Sequence, residues 1–248
     1  MRDKVVLRCV GTGDAFGSGG RLNSCYHLSV GGEQILLDCG CSSLIGLQKY
    51  QLSAAAIDTI IVSHLHGDHF GGIPFLLLEA KYVSLREKPL TLIGPPGLQQ
   101  QVDTALEALY PGTIGDGLVV PLIYRELDPS QPLQQGLFTI QCCKVKHGSS
   151  PNAYALRVEA GGKSICYTGD TEWTENLIPL ADGSDLLLAE CFSYQQQVPS
   201  HLDYKTLRQQ QKSLNSKKLV LTHLGPEILQ HLPELELPIV SDGDLIEL

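Results

Sequence analysis

Long apolar runs are missing from this 248-residue chain. Nothing approaches about 18 consecutive apolar residues, so no transmembrane helix is expected. An excess of positive charge is missing too: 18 Lys and Arg stand against 27 Asp and Glu, a formal net charge of −9. That balance opposes a broad, salt-dependent grip on a nucleic acid backbone. The run from Met1 to Val10 reads as a strand, and no apolar segment follows its charges, so no signal peptide is expected. The eight cysteines, at 9, 25, 39, 41, 142, 143, 166 and 191, lack the pattern of a small disulfide scaffold. Most lie in apolar strand-like runs, which reads as buried thiols in a reducing cytoplasm. Cys39 and Cys41 read as structural thiols rather than ligands.

What is present suits one α/β domain over residues 1–248, with a hydrophobic share of 43% to build its core. Strand-like runs cover 4–10, 25–30, 34–38, 59–63, 90–93, 138–145, 153–159, 163–168, 186–190 and 218–222. Helical patterns cover 41–50, 72–84, 97–110 and 203–214, the last opened by Asp203 as a good N-cap. An internal echo runs through the chain. The Gly-Gly turn and apolar strand of 31–40 recur at 161–170, and 60–67 resembles 218–225. Two similar halves, each with a sheet and outer helices, predict a four-layer αββα sandwich with its site along one edge.

The densest chemistry is His64-Leu65-His66-Gly67-Asp68-His69, directly after the apolar run 57–62. In an extended segment residues i and i+2 point the same way, so His64 and His66 can reach one metal ion. Asp68 and His69 fall where the chain turns into a helix, facing the same pocket from its other side. His147, Asp170 and His223 each follow another apolar strand-like run. A lone His is usually an ordinary core or surface residue. Here five of eight His join the constellation, and chance would scatter them.

In these residues the chain resembles the metallo-β-lactamase superfamily, and most of all its phosphodiesterase branch. That branch holds the tRNA 3′-processing endonucleases (tRNase Z) and the cyclic phosphodiesterase of the carbon–phosphorus lyase pathway. The order of Asp38, the HLHGDH motif, His147, Asp170 and His223 carries the resemblance. So do the Gly11-Thr12-Gly13 loop and an extra His201, placed before the last metal His. Three departures accompany it. His201-Leu202-Asp203 stands where tRNase Z has His-Ser-Thr. The interval from His147 to Asp170 is too short for the tRNA-gripping arm of tRNase Z. Gly17 to Asn23 lacks the zinc-loop cysteines of the cyclic phosphodiesterase.

The resemblance implies the αββα fold and two metal ions, zinc by ligand type, with manganese or iron as alternatives. His64, His66 and His147 would hold one; Asp68, His69 and His223 the other; Asp170 would bridge. Asp68 would orient the metal-bound hydroxide nucleophile. His201 would neutralise or protonate the leaving oxygen, its tautomer fixed by Asp203. Asp38 would hold the motif loop from behind, and the Gly11–Asp14 loop would brace the site or form a plain turn. The expected activity is hydrolysis of a small or cyclic nucleotide-like phosphodiester. The alternatives are tRNase Z-like RNA processing, and a thioester, lactone or β-lactam hydrolase; a non-catalytic metal-binding protein ranks last. A homodimer is common in the branch. The basic residues Lys205, Arg208, Lys212, Lys217 and Lys218 read as a solvated helix face, or else as a rim for phosphate.

Overall fold

The computed structural model describes residues 4–113, 120–148, 150 and 152–248. Its elements, in chain order, open with β1 (Val6–Gly11), β2 (Cys25–Val30), β3 (Glu33–Leu37), α1 (Ser43–Lys49) and β4 (Thr59–Ile61). There follow α2 (Gly67–Phe70), α3 (Ile73–Tyr82), β5 (Leu90–Gly94), α4 (Leu98–Leu109), β6 (Leu122–Glu126) and β7 (Leu133–Gln135). Next come β8 (Phe138–Lys144), β9 (Tyr154–Ala160), β10 (Lys163–Tyr167), α5 (Leu177–Ala181) and β11 (Leu186–Glu190). The chain closes with α6 (Tyr204–Leu214), β12 (Leu219–Thr222), α7 (Pro226–Gln230) and β13 (Leu245–Glu247). The first three residues of the expected N-terminal strand lie outside the described residues.

The strands form two mixed sheets, ordered β13-β1-β2-β3-β4-β5-β6 and β12-β11-β10-β9-β8-β7. Side chains alternate between the two faces of each strand. Ile35 and Leu37 of β3 meet Leu186 and Leu188 of β11 in the core between the sheets. Leu36 points the other way, to Leu47 of α1 and Leu77 of α3. Leu187 and Ala189 turn outward onto Leu180 of α5 and Leu207 of α6. Three apolar layers thus separate four structural ones, the expected αββα sandwich of the metallo-β-lactamase fold. Leu36 is fully buried, and truncating it to Ala would cost about 2–5 kcal/mol.

The internal echo is visible in the topology. The β2–β3 and β9–β10 hairpins each turn through a Gly pair with positive φ at both positions, Gly31-Gly32 and Gly161-Gly162. Such a turn needs left-handed backbone twice in succession, which glycine alone adopts cheaply. β3 is parallel to β4, and β10 is parallel to β11 and β12. Their C-terminal ends therefore line up along one edge of the sandwich. β8 runs in the direction of β10, because both are antiparallel to β9. The segments that follow these strands carry the site.

Candidate metal centre

Each strand end delivers a polar side chain to that edge. β3 ends at Asp38, held in the left-handed region at φ 58°. β4 leads to Ser63 and His64, β10 to Asp170, β11 to its own last residue Glu190, and β12 to His223 at φ 56°. Two non-glycine residues with positive φ at strand ends mark backbone held away from its comfortable state, as happens at functional sites. The His223 amide donates to Thr12 O at 2.9 Å. The Gly11–Asp14 loop therefore braces the site, through a carbonyl rather than through its amides.

The motif loop is clamped from behind. Cys39 N donates to His69 O at 2.7 Å, and Gly72 N donates to Cys39 O at 2.8 Å. A Cβ on Gly40 would lie 2.2 Å from Asp68 O, so only glycine lets these backbones approach. Asp38 is fully buried and saturated with donors: Ser63 N at 2.7 Å, Ser63 Oγ at 2.8 Å, His69 Nδ1 at 2.6 Å and Tyr167 OH at 2.9 Å.

These contacts set the imidazole tautomers. His69 gives its Nδ1–H to Asp38, which leaves Nε2 as a lone-pair donor. Ser63 Oγ gives its proton to Asp38, so at 3.1 Å it accepts from His64 Nδ1 and leaves His64 Nε2 free. His147 Nδ1 donates to Ser200 O at 2.9 Å, which leaves the lone pair on Nε2, 2.9 Å from His66 Nδ1.

The free atoms converge. His64, His66 and His147 form one group whose ligand atoms all lie within 4.8 Å of one another. Asp68, His69, Asp170 and His223 form a second group at the same spacing. Asp170 lies between them. Its Oδ1 is 3.2 Å from His69 Nε2, while its Oδ2 is 3.3 Å from His223 Nε2, 3.9 Å from His147 Nε2 and 4.0 Å from His64 Nε2. His64 Nε2, His69 Nε2 and Asp170 Oδ1 are buried without a hydrogen-bond partner. A buried polar atom left so costs about 1–3 kcal/mol, and a coordinated cation would satisfy all three at once.

The charges fit the same purpose. Burial pushes the imidazoles of His64 and His147 below the ordinary value, which favours the neutral form that binds a metal. Burial opposes ionisation of Asp170, but His223 and His69 hold it well below the usual carboxylate range. Asp68 is likewise held down against its burial, by His69 and His223. Against their burial, Asp170 and its neighbouring carboxylates raise His69 and His223. Imidazole nitrogens and carboxylate oxygens so gathered make a His/Asp cluster compatible with a divalent metal.

His201 stands beside this cluster, 3.9 Å from Asp170 Oδ2 through Nδ1. Its ring stacks on Phe192, with centroids 4.6 Å apart at 24°. The expected partner of His201 was Asp203, and here the structure corrects the sequence. Asp203 accepts from Thr206 N at 2.8 Å and from Thr206 Oγ1 at 2.6 Å, capping α6. Glu190 Oε2 instead lies 2.9 Å from His201 Nδ1, and Glu190 Oε1 takes the amide of Thr171. Burial pushes Glu190 well above the ordinary carboxyl value, and Asp170 adds to this; burial lowers His201. Sequence reasoning missed Glu190. Its signal was an acid ending the otherwise apolar run LLLAE.

The cavity over the cluster measures about 260 Å³ and is lined by His66, Asp68, His147, Asp170, His201 and His223, with Phe16 and Phe192 at its walls. Among the described residues, no Lys or Arg lines it. Lys217 pairs with Asp185 at 2.8 Å, and Arg208 pairs with Glu236. The basic stretch is thus a surface helix face and turn. No helix among the described residues is long and apolar enough to cross a membrane.

Fold and site together define a metallo-β-lactamase-fold, metal-dependent hydrolase. Within that class the chain belongs to the family described as Anti-Pycsar protein Apyc1, which matches residues 5–236. It is 28% identical over 226 residues to the probable metallo-hydrolase YhfI of Bacillus subtilis, covering 89% of this chain and 86% of that one. The crystal structure of YhfI superposes with a TM-score of 0.81 at 25% identity, over 99% of this chain and all of that one. Mitochondrial ribonuclease Z of Drosophila melanogaster is 30% identical over 215 residues, 77% of this chain but only 27% of that longer protein. The structure of the short form of human tRNase Z matches with a TM-score of 0.79 at 25% identity, over 97% of this chain and 98% of that one.

Proposed function

We propose that this protein is a phosphodiesterase that hydrolyses a small or cyclic nucleotide-like phosphodiester, using two metal ions, zinc by donor type. His64, His66 and His147 would hold one ion, and Asp68, His69 and His223 the other, with Asp170 shared. Bound there, the metals would supply an activated water and neutralise charge on the phosphoryl oxygens. The observation that carries the reading is His201: an imidazole outside both ligand groups, on the cavity wall, with Nδ1 held by Glu190. Diester hydrolysis needs a proton on the departing alkoxide, and His201 Nε2 would give it. Glu190 keeps the ring oriented. Asp68, with the cavity on one side and His69 on the other, would orient the attacking water.

Ribonuclease Z-like processing is the second reading, and the ribonuclease Z relatives favour it. Two features weigh against it. Net charge is −9. Among the described residues between His147 and Asp170, the β9–β10 hairpin is the only element, and the interval is too short for an arm that grips tRNA. Precursor tRNA should therefore bind weakly, and more weakly as salt rises. We also read residues 1–248 as one domain, because both sheets supply ligands to one site. Eight free cysteines support a reducing, cytoplasmic setting.

A substrate panel tests the reading, each member assayed with zinc and with manganese. It comprises bis-p-nitrophenyl phosphate, p-nitrophenyl phosphate, precursor tRNA, nitrocefin and S-lactoylglutathione. The diester should be cleaved faster than the monoester, whose extra negative charge meets Asp68 and Asp170. Robust nitrocefin or thioester turnover without diesterase activity would overturn it. Efficient site-specific cleavage of the tRNA would transfer the assignment to the second reading.

A further inference from the structure

We infer that Glu172 is a positioning residue: its carboxylate holds the Ser200 backbone, so that one residue both seats the candidate metal ligand His147 and sets the loop that carries His201. This rests on the two-metal reading above and deepens it.

Ser200 is the joint. It stands in the left-handed region at φ 76°, a conformation that a residue with a Cβ keeps only where its surroundings fix it. Both of its backbone polar groups are fixed. Its amide donates to Glu172 Oε1 at 2.8 Å, and its carbonyl accepts from His147 Nδ1 at 2.9 Å. The next residue is His201, whose own amide closes a turn on Val198 O at 3.1 Å. A Cβ on Gly148, beside His147, would lie 3.1 Å from Ser200 Oγ, so the two segments run in close contact.

Glu172 is itself anchored to the segment it serves. Its amide donates to Lys146 O at 2.8 Å, and Lys146 N donates to Thr171 Oγ1 at 3.1 Å, a short antiparallel bridge directly before His147. The segment from Asp170 to Glu172 thus carries the shared ligand at one end and, at the other, the carboxylate that fixes Ser200. A histidine that coordinates through Nε2 keeps its proton on Nδ1, and the acceptor facing Nδ1 sets both tautomer and ring angle. For His147 that acceptor is the Ser200 carbonyl, presented in the conformation that Glu172 holds. What Glu172 supplies is an acceptor oxygen; its charge is not required. A cavity of about 380 Å³, lined in part by Glu172, Trp173 and His201, adjoins the joint, so a released loop has room to shift.

Zinc binding to chelator-stripped protein, followed by competition with a chelating dye, tests this without any assay of turnover. Glu172→Ala should lower the affinity for one of the two ions by about 10- to 100-fold, the usual worth of a group that orients a metal ligand, and leave the other within about threefold. Glu172→Gln keeps an oxygen for the Ser200 amide and should bind zinc nearly as wild type does. Glu172 is exposed, so the denaturation midpoint of the stripped Ala variant should stay close to that of wild type. In zinc-saturated enzyme the Ala variant should lose more kcat on a ribose-type diester than on a p-nitrophenolate ester, because His201 shifts with Ser200. Unchanged zinc affinity in Glu172→Ala, equal weakening by Ala and Gln, a lowered midpoint with both ions weakened alike, or equal losses of kcat on the two esters would overturn the positioning role while leaving the two-metal reading intact. Wild-type protein that takes up fewer than two ions would overturn that reading, and the inference with it.

Discussion

Glu190 Oε2 and His201 Nδ1 lie 2.9 Å apart, at the end of β11 and just before α6. The contact orients an imidazole that the proposed two-metal assignment leaves outside both ligand groups, although His201 also lies within 4.8 Å ligand spacing of His147 and Asp170. On the proposed assignment it would separate two jobs that a histidine-rich pocket could otherwise blur, metal binding and proton delivery.

His201→Ala should keep its fold and full metal complement while kcat falls on the order of 10²–10⁴-fold, the usual worth of a positioned acid. The loss should shrink for a p-nitrophenolate leaving group, which needs little help from a proton. It should be largest for a ribose hydroxyl. Steady-state kinetics on the two leaving groups, beside elemental analysis, checks this. Near-normal kcat on the ribose-type diester would remove His201 from the mechanism.

Glu190→Gln retains the shape of the side chain and replaces one carboxyl oxygen by an amide nitrogen. It should lower kcat by about 10- to 100-fold, in the range found when a group that orients an active histidine is lost. The same dependence on leaving group should appear, in milder form. A loss of equal size on both leaving groups would mean that Glu190 acts only by holding Thr171 and the neighbouring backbone.

Asp203→Ala should act on stability. Removing the side chain that caps α6 costs about 0.5–2 kcal/mol, readable as a lower denaturation midpoint, with kcat essentially unchanged. A loss of activity matching that of His201→Ala would restore Asp203 to the catalytic group.

Asp38→Asn should weaken metal binding although Asp38 touches no ligand space itself. It receives four hydrogen bonds, and the one from His69 fixes which nitrogen faces the cluster. A drop of about 10- to 100-fold in metal affinity is expected, measured by competition with a chelating dye. Unchanged affinity would show that His69 keeps its tautomer without Asp38.

Much of this was legible in the sequence because the edge of the sandwich is built from strand ends, and strand ends are easy to see. His64, Asp170 and His223 each close an apolar run, and the Gly-Gly echo of 31–40 and 161–170 announces paired hairpins. The N-cap of α6 was equally plain. Where two functions suited one residue, the sequence misled: Asp203 is two positions from His201, but helix capping turns its carboxylate toward Thr206. Glu190 hid because a strand that is buried throughout gives no reason to look at its last residue. The edge strands β6, β7 and β13 were missed for another reason. They are short or half-exposed, with little of the apolar alternation that marks a strand.

The central claim is that this cluster holds two metal ions and cleaves phosphodiesters with them. Zinc titrated into chelator-stripped protein, with hydrolysis of bis-p-nitrophenyl phosphate followed at each addition, tests it most directly. Activity should be absent at the start and should saturate at about two ions per chain, and Asp170→Ala should bind less than half as much metal. Full activity in the stripped protein, saturation at a single ion, or a fully loaded Asp170→Ala protein would contradict it.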